Sequence, residues 1–259
     1  MNNEAIGVYD SGFGGLSVWR ELYDMLPAES LTFLGDGKNC PYGGRSKAQI
    51  TAFADAAVER LLSEGCKMIV VACNTATAAA IDTLRSRWTD IPIVGLEPAI
   101  KPACERSRTR RVGVLATAHS LAGDMFHRTA ARYAADVEVV TAVGEGFVEI
   151  VEQGSENTPE AAEAVRRVVE PMLARGVDTI VLGCTHYPFL RRQIEEVVGD
   201  RGVEIIDSGK AVARRVADLL DRLSLRAEEG HRPQYRFLSF ADEEYRSRLQ
   251  AKAFDCTRH

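Results

Sequence analysis

Two cysteines occupy matching settings in this chain. Ile69-Val70-Val71-Ala72-Cys73-Asn74-Thr75 and Thr179-Ile180-Val181-Leu182-Gly183-Cys184-Thr185-His186 each run from a short β-branched stretch, through a thiol, into a polar stretch. A thiol at the carboxyl end of a buried parallel strand faces the crevice where open α/β sheets hold their ligands. Taken singly, a buried cysteine is a small hydrophobe, and Cys66 and Cys104 are read that way. The paired placement sets Cys73 and Cys184 apart. Two thiols suit the removal of a proton from one face of a carbon and the delivery of another to the opposite face. Thiol is a weak base until tuned, and a helix N-terminus directly after the cysteine favours the thiolate. That setting is expected at both positions.

Each thiol needs a group to manage its proton. Asp10, at the end of the first strand, can serve Cys73. His186, two residues after Cys184, can serve the other thiol, since an imidazole activates a nearby cysteine. Glu152, just past Phe147-Val148-Glu149-Ile150-Val151, is a further acidic candidate. Each has a plainer role open to it: turn residue, packing residue and solvated carboxylate, respectively. The loop Ser11-Gly12-Phe13-Gly14-Gly15, with Asp36 after the second strand, invites a dinucleotide reading, but the third glycine of G-x-G-x-x-G would fall at Ser17. Such a loop can equally hold a carboxylate. Tyr42-Gly43 after Cys40-Pro41 reads as another crevice loop. Asn74, Thr75, Thr117, Ser120 and Thr185 add hydroxyl and amide groups at strand ends, completing a small, polar, anion-friendly site.

The elements that must position these groups alternate between strand and helix from start to end, the pattern of an α/β protein with parallel sheets. Strands are expected at Ala5 to Tyr9, Leu31 to Leu34, Met68 to Ala72, Ile93 to Leu96, Val112 to Leu115, Val137 to Thr141, Thr179 to Leu182 and Val203 to Ile206. Ser46 and Gln49 form a capping box before a helix to about Glu64. Thr158 and Pro159 open another, which Gly176 ends. In the tail, Tyr235 to Ser239 reads as an edge strand and Glu243 to Phe254 as a final helix. The opening strand, polar turn and later strand-Cys motif occur twice. This weak repeat predicts two pseudo-symmetric α/β domains with mainly parallel sheets facing a central cleft.

Composition restricts the function classes. Apolar residues make up 46% and charged residues 27%, so a disordered or collagen-like chain is excluded. The formal net charge of −5 leaves no footprint for nucleic acid. Arg106, Arg108, Arg110 and Arg111 cluster, and the run is read as a solvated loop. No apolar stretch approaches the roughly 20 residues that span a bilayer, and Met1-Asn2-Asn3-Glu4 lacks the regions of a signal peptide. The expected compartment is the cytoplasm. The six cysteines include no C-x-x-C and no zinc-type Cys/His spacing, so no metal is expected and the thiols should be reduced.

The motifs Asp10-Ser11-Gly12-Phe13-Gly14-Gly15-Leu16-Ser17, Pro41-Tyr42-Gly43, Ala72-Cys73-Asn74-Thr75-Ala76-Thr77 and Gly183-Cys184-Thr185-His186-Tyr187-Pro188 closely resemble the cofactor-independent glutamate racemases, over about residues 5 to 225. Aspartate racemases carry a histidine in place of Thr77 and a glutamate in place of His186, so both positions favour glutamate. The resemblance implies a first domain of 1–98 plus 207–259 and a second of 99–206. It implies Cys73 and Cys184 as catalytic bases, Asp10 assisting the first, and Glu152 and His186 assisting the second. Substrate contacts would be Asp10, Ser11, Tyr42, Gly43, Cys73, Asn74, Thr75, Thr117, Ser120, Cys184, Thr185 and His186. Ser120 stands where many members have threonine and keeps the hydroxyl, whereas Val143-Gly144-Glu145 replaces a common Ala-Cys-Pro segment. The implied activity is interconversion of L- and D-glutamate without a cofactor, in peptidoglycan precursor synthesis, by a homodimer. The rivals are a racemase of aspartate or hydantoin type, and a regulatory binding protein on the same scaffold.

Overall fold

The computed structural model describes residues 2–255. The chain divides into two compact units: the residues before Glu97 together with those after Ser208, and the continuous segment Glu97–Ser208. The first unit holds a sheet of five strands, β1 (Ile6–Asp10), β2 (Leu31–Gly35), β3 (Met68–Val71), β4 (Ile93–Gly95) and β9 (Tyr235–Ser239), in the order β4-β3-β1-β2-β9. The second holds β5 (Arg111–Ala116), β6 (Glu138–Val143), β7 (Thr179–Leu182) and β8 (Glu204–Ile206), in the order β6-β5-β7-β8. All strand pairings are parallel. Read from its other edge, the second sheet has the order of the first without β9. The repeat seen weakly in sequence is therefore complete in topology.

The strands form where apolar, β-branched residues run without interruption. β1, β2, β3 and β7 are buried along their whole length, as strands covered on both faces must be. Helix starts follow the expected punctuation. Ser46 caps the helix Lys47–Ser63 in a full capping box with Gln49, and Thr158 accepts from the Ala161 N–H ahead of Pro159–Ala174. In each sheet the chain leaves the first strand in one direction and returns on the other side, between β1 and β3 and between β5 and β7. Such a switch point leaves an open crevice at the carboxyl ends of the strands.

The tail completes the first sheet. β9 pairs in parallel with β2 at the edge, from Leu31↔Tyr235 to Gly35↔Ser239. Trp19 holds it from one side, its ring 5.5 Å from Phe237 and 5.9 Å from both Tyr235 and Phe254. The final helix, Glu243–Asp255, buries Leu249 fully and brings Tyr245 to within 4.8 Å of the Phe13 ring. Arg248 also lies over that ring. Burial of a phenylalanine side chain contributes about 1.5–3 kcal/mol, so the last helix helps fix the Ser11–Gly15 loop. The arginine cluster is a surface feature with acidic partners: Arg106 pairs with Glu204, Arg110 with Asp136 and Arg111 with Glu138. Cys66 and Cys104 are buried, and burial pushes the Cys66 thiol up to about 11. Cys256 lies outside the described residues. Among the described residues no helix is long and apolar enough to cross a membrane.

Candidate active site

In the first unit Asp10 is the last residue of β1 and Cys73 lies just past β3, the adjacent strand. The two therefore flank the switch point. Cys73 is the N-cap of the helix Asn74–Arg87, and its Sγ accepts from the Ala76 N–H at 3.4 Å. Cysteine is a weak N-cap beside Ser, Thr, Asp or Asn, so helix stability alone does not account for a thiol there. The N–H bond and the helix dipole favour its thiolate form. As a thiol it donates to Ser11 Oγ at 3.6 Å. Asp10 is fully buried and its Oδ2 accepts from the Gly12 N–H at 2.8 Å. Gly15 makes the approach feasible, since a Cβ there would sit 2.5 Å from Asp10 Cβ and 3.2 Å from the Ala72 carbonyl oxygen.

Asn74 and Thr75 open the helix and are buried. Thr77 ties the same turn to the sheet, donating to the Val71 carbonyl and accepting from the Leu96 N–H, both at 3.1 Å. Tyr42 is buried, its hydroxyl donating to Asp36 Oδ2 at 2.6 Å and lying 2.6 Å from the Tyr9 hydroxyl. Gly43 follows at the partly exposed end of that loop. The Tyr9 phenol is raised well above its ordinary value, first by burial and then by the Cys73 charge. It stays protonated at neutral pH and offers no competing base.

The second unit builds a different surrounding for Cys184. No α-helix begins directly after it; a turn leads into a 3₁₀ helix at Tyr187–Leu190, and the α-helix Arg191–Val198 starts only then. The expected N-cap setting is thus absent at Cys184. Pro188, near the start of the 3₁₀ turn, is one physical reason: it supplies no N–H and restricts Tyr187. A histidine stands where the first unit uses a helix. His186, only 2% exposed, places Nδ1 3.9 Å from Cys184 Sγ and Nε2 2.7 Å from Glu152 Oε1. A carboxylate only accepts, so Nε2 carries the hydrogen and the Nδ1 lone pair of the neutral ring faces the thiol. The arrangement can present an imidazole lone pair to the thiol, with a carboxylate in place to steady an imidazolium.

The short helix Phe147–Gln153 carries Glu152, and Tyr187 braces it: its ring meets Phe147 edge-on at 5.2 Å, while its hydroxyl donates to the Gly144 carbonyl at 3.4 Å. The segment Val143-Gly144-Glu145 thus leads into a helix that delivers Glu152 to His186. Thr117 caps the helix Ala118–Ala122, accepts from the Ser120 N–H at 3.2 Å and donates to Ser120 Oγ at 2.9 Å. Thr185 is buried beside Cys184. Gly183 repeats the role of Gly15, since a Cβ there would meet Ala116 Cβ at 2.9 Å.

The first unit thus carries Asp10, Ser11, Tyr42, Gly43, Cys73, Asn74 and Thr75, with Ser11 in contact with Cys73, and the second carries Thr117, Ser120, Glu152, Cys184, Thr185 and His186, with Cys184, His186 and Glu152 in one line of contacts. Sequence reasoning did not find the Tyr9 and Asp36 contacts to Tyr42. No signal in the chain marks Tyr9 as other than a strand residue.

Comparison with known proteins gives the family and the fold. The family model described as Asp/Glu/Hydantoin racemase matches residues 14–216. A glutamate racemase of Herpetosiphon aurantiacus is 49% identical over 220 residues, covering 85% of this chain and 86% of the relative. One from Cupriavidus pinatubonensis is 42% identical over 251 residues, covering 97% and 92%. Among solved structures, a glutamate racemase isoform from Bacillus anthracis superimposes with a TM-score of 0.88 at 30% identity, covering 98% of this chain and 95% of that one. The glutamate racemase of Escherichia coli, solved with L-glutamate and the activator UDP-MurNAc-ala, gives 0.86 at 31% identity, covering 97% and 95%. With its motifs in order and its two sheets of matching topology, the chain belongs to the Asp/Glu/hydantoin racemase family.

Proposed function

We propose that this enzyme interconverts L- and D-glutamate, with Cys73 and Cys184 as its two bases. The observation that carries the reading is the pair of thiols at corresponding strand ends of the two sheets, Cys73 beside the Ala76 N–H and the Ser11 hydroxyl and Cys184 beside His186 with Glu152 behind it. Relatives named glutamate racemase at 42–49% identity over most of the chain support the substrate.

One cysteine, as thiolate, takes the α-proton and becomes a thiol. The other, as thiol, gives its proton to the opposite face of the carbanion and becomes a thiolate. No proton or electron is gained or lost, and the configuration at carbon is inverted. The two cysteines exchange protonation states in each turnover, so the enzyme left by one enantiomer is poised for the other. Charge developing on the substrate carboxylate needs fixed donors in a dry site; Ser11, Asn74, Thr75, Thr117, Ser120 and Thr185 are proposed for this, with the Tyr42–Gly43 segment. Asp10 serves Cys73, and His186 with Glu152 serves Cys184. The carbon acid is activated by these groups alone in this reading, which needs neither a metal nor a cofactor. The same reading makes the protein a cytoplasmic homodimer that supplies D-glutamate for peptidoglycan.

The test is incubation of the metal-stripped, reduced protein with L-glutamate in D2O, following optical rotation and α-deuterium together. Loss of rotation with deuterium incorporation is expected. Cys73→Ala and Cys184→Ala should each abolish racemisation. An unchanged rotation in the wild type would refute the activity; racemisation surviving in the double variant would refute the mechanism.

A further inference from the structure

Beside Cys73, the first unit contains a buried polar chain that proton transfer itself does not require. Asp36 is fully buried, and its carboxylate accepts from Tyr42 Oη at 2.6 Å and from Asn39 Nδ2 at 2.9 and 3.1 Å. A phenol has one proton. Because Tyr42 gives its proton to Asp36, the 2.6 Å contact between Tyr42 and Tyr9 must be donated by Tyr9. The chain therefore has one direction, Tyr9 to Tyr42 to Asp36. Tyr9 belongs to β1, next to Asp10, and is fully buried. Asp36 follows β2, its N–H held by the Asp10 carbonyl at 2.9 Å.

The loop between Asp36 and Ser46 has internal backbone hydrogen bonds, from Asn39 N–H to Asp36 and from Arg45 N–H to Tyr42. The Tyr42 side chain fastens this loop to the sheet, with its hydroxyl in the chain and its ring 5.6 Å from Phe53. We propose that Tyr9 is a positioning residue for the reaction, acting through the Tyr42 hydroxyl to hold the Tyr42–Gly43 segment against which glutamate is bound. This inference rests on the racemase reading above. It adds a residue that never touches substrate: Tyr9 sets the loop's place from the strand that also carries Asp10.

The experiment is a double-mutant cycle of Tyr9→Phe and Tyr42→Phe in the full chain, with steady-state kinetics in both directions and thermal unfolding of every variant. Tyr9→Phe keeps the ring and removes one buried donor. It should raise KM for both enantiomers about five- to tenfold, the size of one buried hydrogen bond, with kcat within about twofold. Tyr42→Phe should raise KM further, and adding Tyr9→Phe to it should change KM no more. A purely structural tyrosine would lower the melting temperature and leave the KM-against-kcat split untouched. An unaltered KM in Tyr9→Phe, or an equal effect of Tyr9→Phe in the Tyr42→Phe background, would overturn the positioning role while wild-type activity upheld the racemase reading. A wild type that leaves glutamate unchanged would overturn that reading, and this inference with it.

Discussion

Replacing Glu152 with glutamine isolates one electrostatic contribution. The amide oxygen can still accept from His186 Nε2, so the ring keeps its tautomer and direction, and the negative charge alone is lost. That charge matters when the Cys184 proton sits on His186. At the 2.7 Å separation between Nε2 and Oε1, Coulomb attraction in an effective dielectric of about 20 has a ceiling near 6 kcal/mol. The measurable difference between a charged and a neutral acceptor is smaller, about 1.5–3 kcal/mol. Glu152→Gln should therefore lower kcat/KM by roughly 10- to 150-fold. The fall must be equal in the two directions, because mirror-image substrates fix the equilibrium constant at unity. The asymmetry appears in isotope effects. With α-deuterated substrates, the primary effect on kcat/KM should grow for the enantiomer that Cys184 deprotonates and shrink for the other, because only the Cys184 step has become harder. Optical rotation with each labelled enantiomer measures both. A kcat/KM within twofold of the wild type, or isotope effects that move together, would refute the assignment of Glu152 to the Cys184 side.

Two further predictions concern stability. Asp178 feels opposing effects: burial raises its pKa, but hydrogen bonds from Ser107 Oγ at 2.6 Å and from the N–H groups of Arg108 at 2.6 Å and Thr109 at 2.7 Å outweigh it and hold the carboxyl below the usual range. With the folded value depressed, the stabilisation is present above the unfolded value near 4 and is lost as pH falls through the folded one. Asp178→Ala should cost about 1–3 kcal/mol in urea unfolding at pH 7, and the cost should shrink steadily as pH falls below about 4; a pH-independent difference would count against this account. Lys67 and Glu29 form an ion pair at 2.7 Å with both side chains almost wholly buried, and Glu29 also accepts from the Ala227 N–H at 2.9 Å. Glu29→Leu should destabilise by about 3–5 kcal/mol by stranding the ammonium, whereas Glu29→Leu with Lys67→Met should recover most of the loss. A double variant as unstable as the single one would show that the loss does not come from the ammonium left without its carboxylate.

Much of the fold was legible because parallel strands buried on both faces read as plain apolar runs. Met68 to Val71 and Thr179 to Leu182 are such runs, and the place of the two thiols past their carboxyl ends follows from sheet geometry. The Ser46 and Thr158 caps were legible for the same reason: a local hydrogen bond leaves a local residue pattern. The setting of Cys184 was misread because strand-Cys-polar is the same string whether a helix or a turn follows, and Pro188 decides between them. Contacts distant along the chain left no trace. Tyr9 meets Tyr42 through hydroxyl groups that folding alone brings together, and Lys67 with Glu29 looks like two ordinary surface charges until both are found buried.

The two units also differ in when they can be finished during synthesis. The segment Glu97–Ser208 is continuous, and a hydrogen bond from Ser208 Oγ to the Glu97 carbonyl at 2.7 Å ties its two ends. Its four strands are all available once Ser208 has left the ribosome, so the sheet bearing Cys184 can close while translation continues. The sheet bearing Cys73 begins earlier in the chain and ends later, since β2 waits for Tyr235–Ser239. Until that last strand arrives, β2 is a bare edge of unpaired backbone groups, open to pairing with another nascent chain. A chain cut short before Tyr235 would have its second sheet finished and the β2 edge of its first exposed to aggregation.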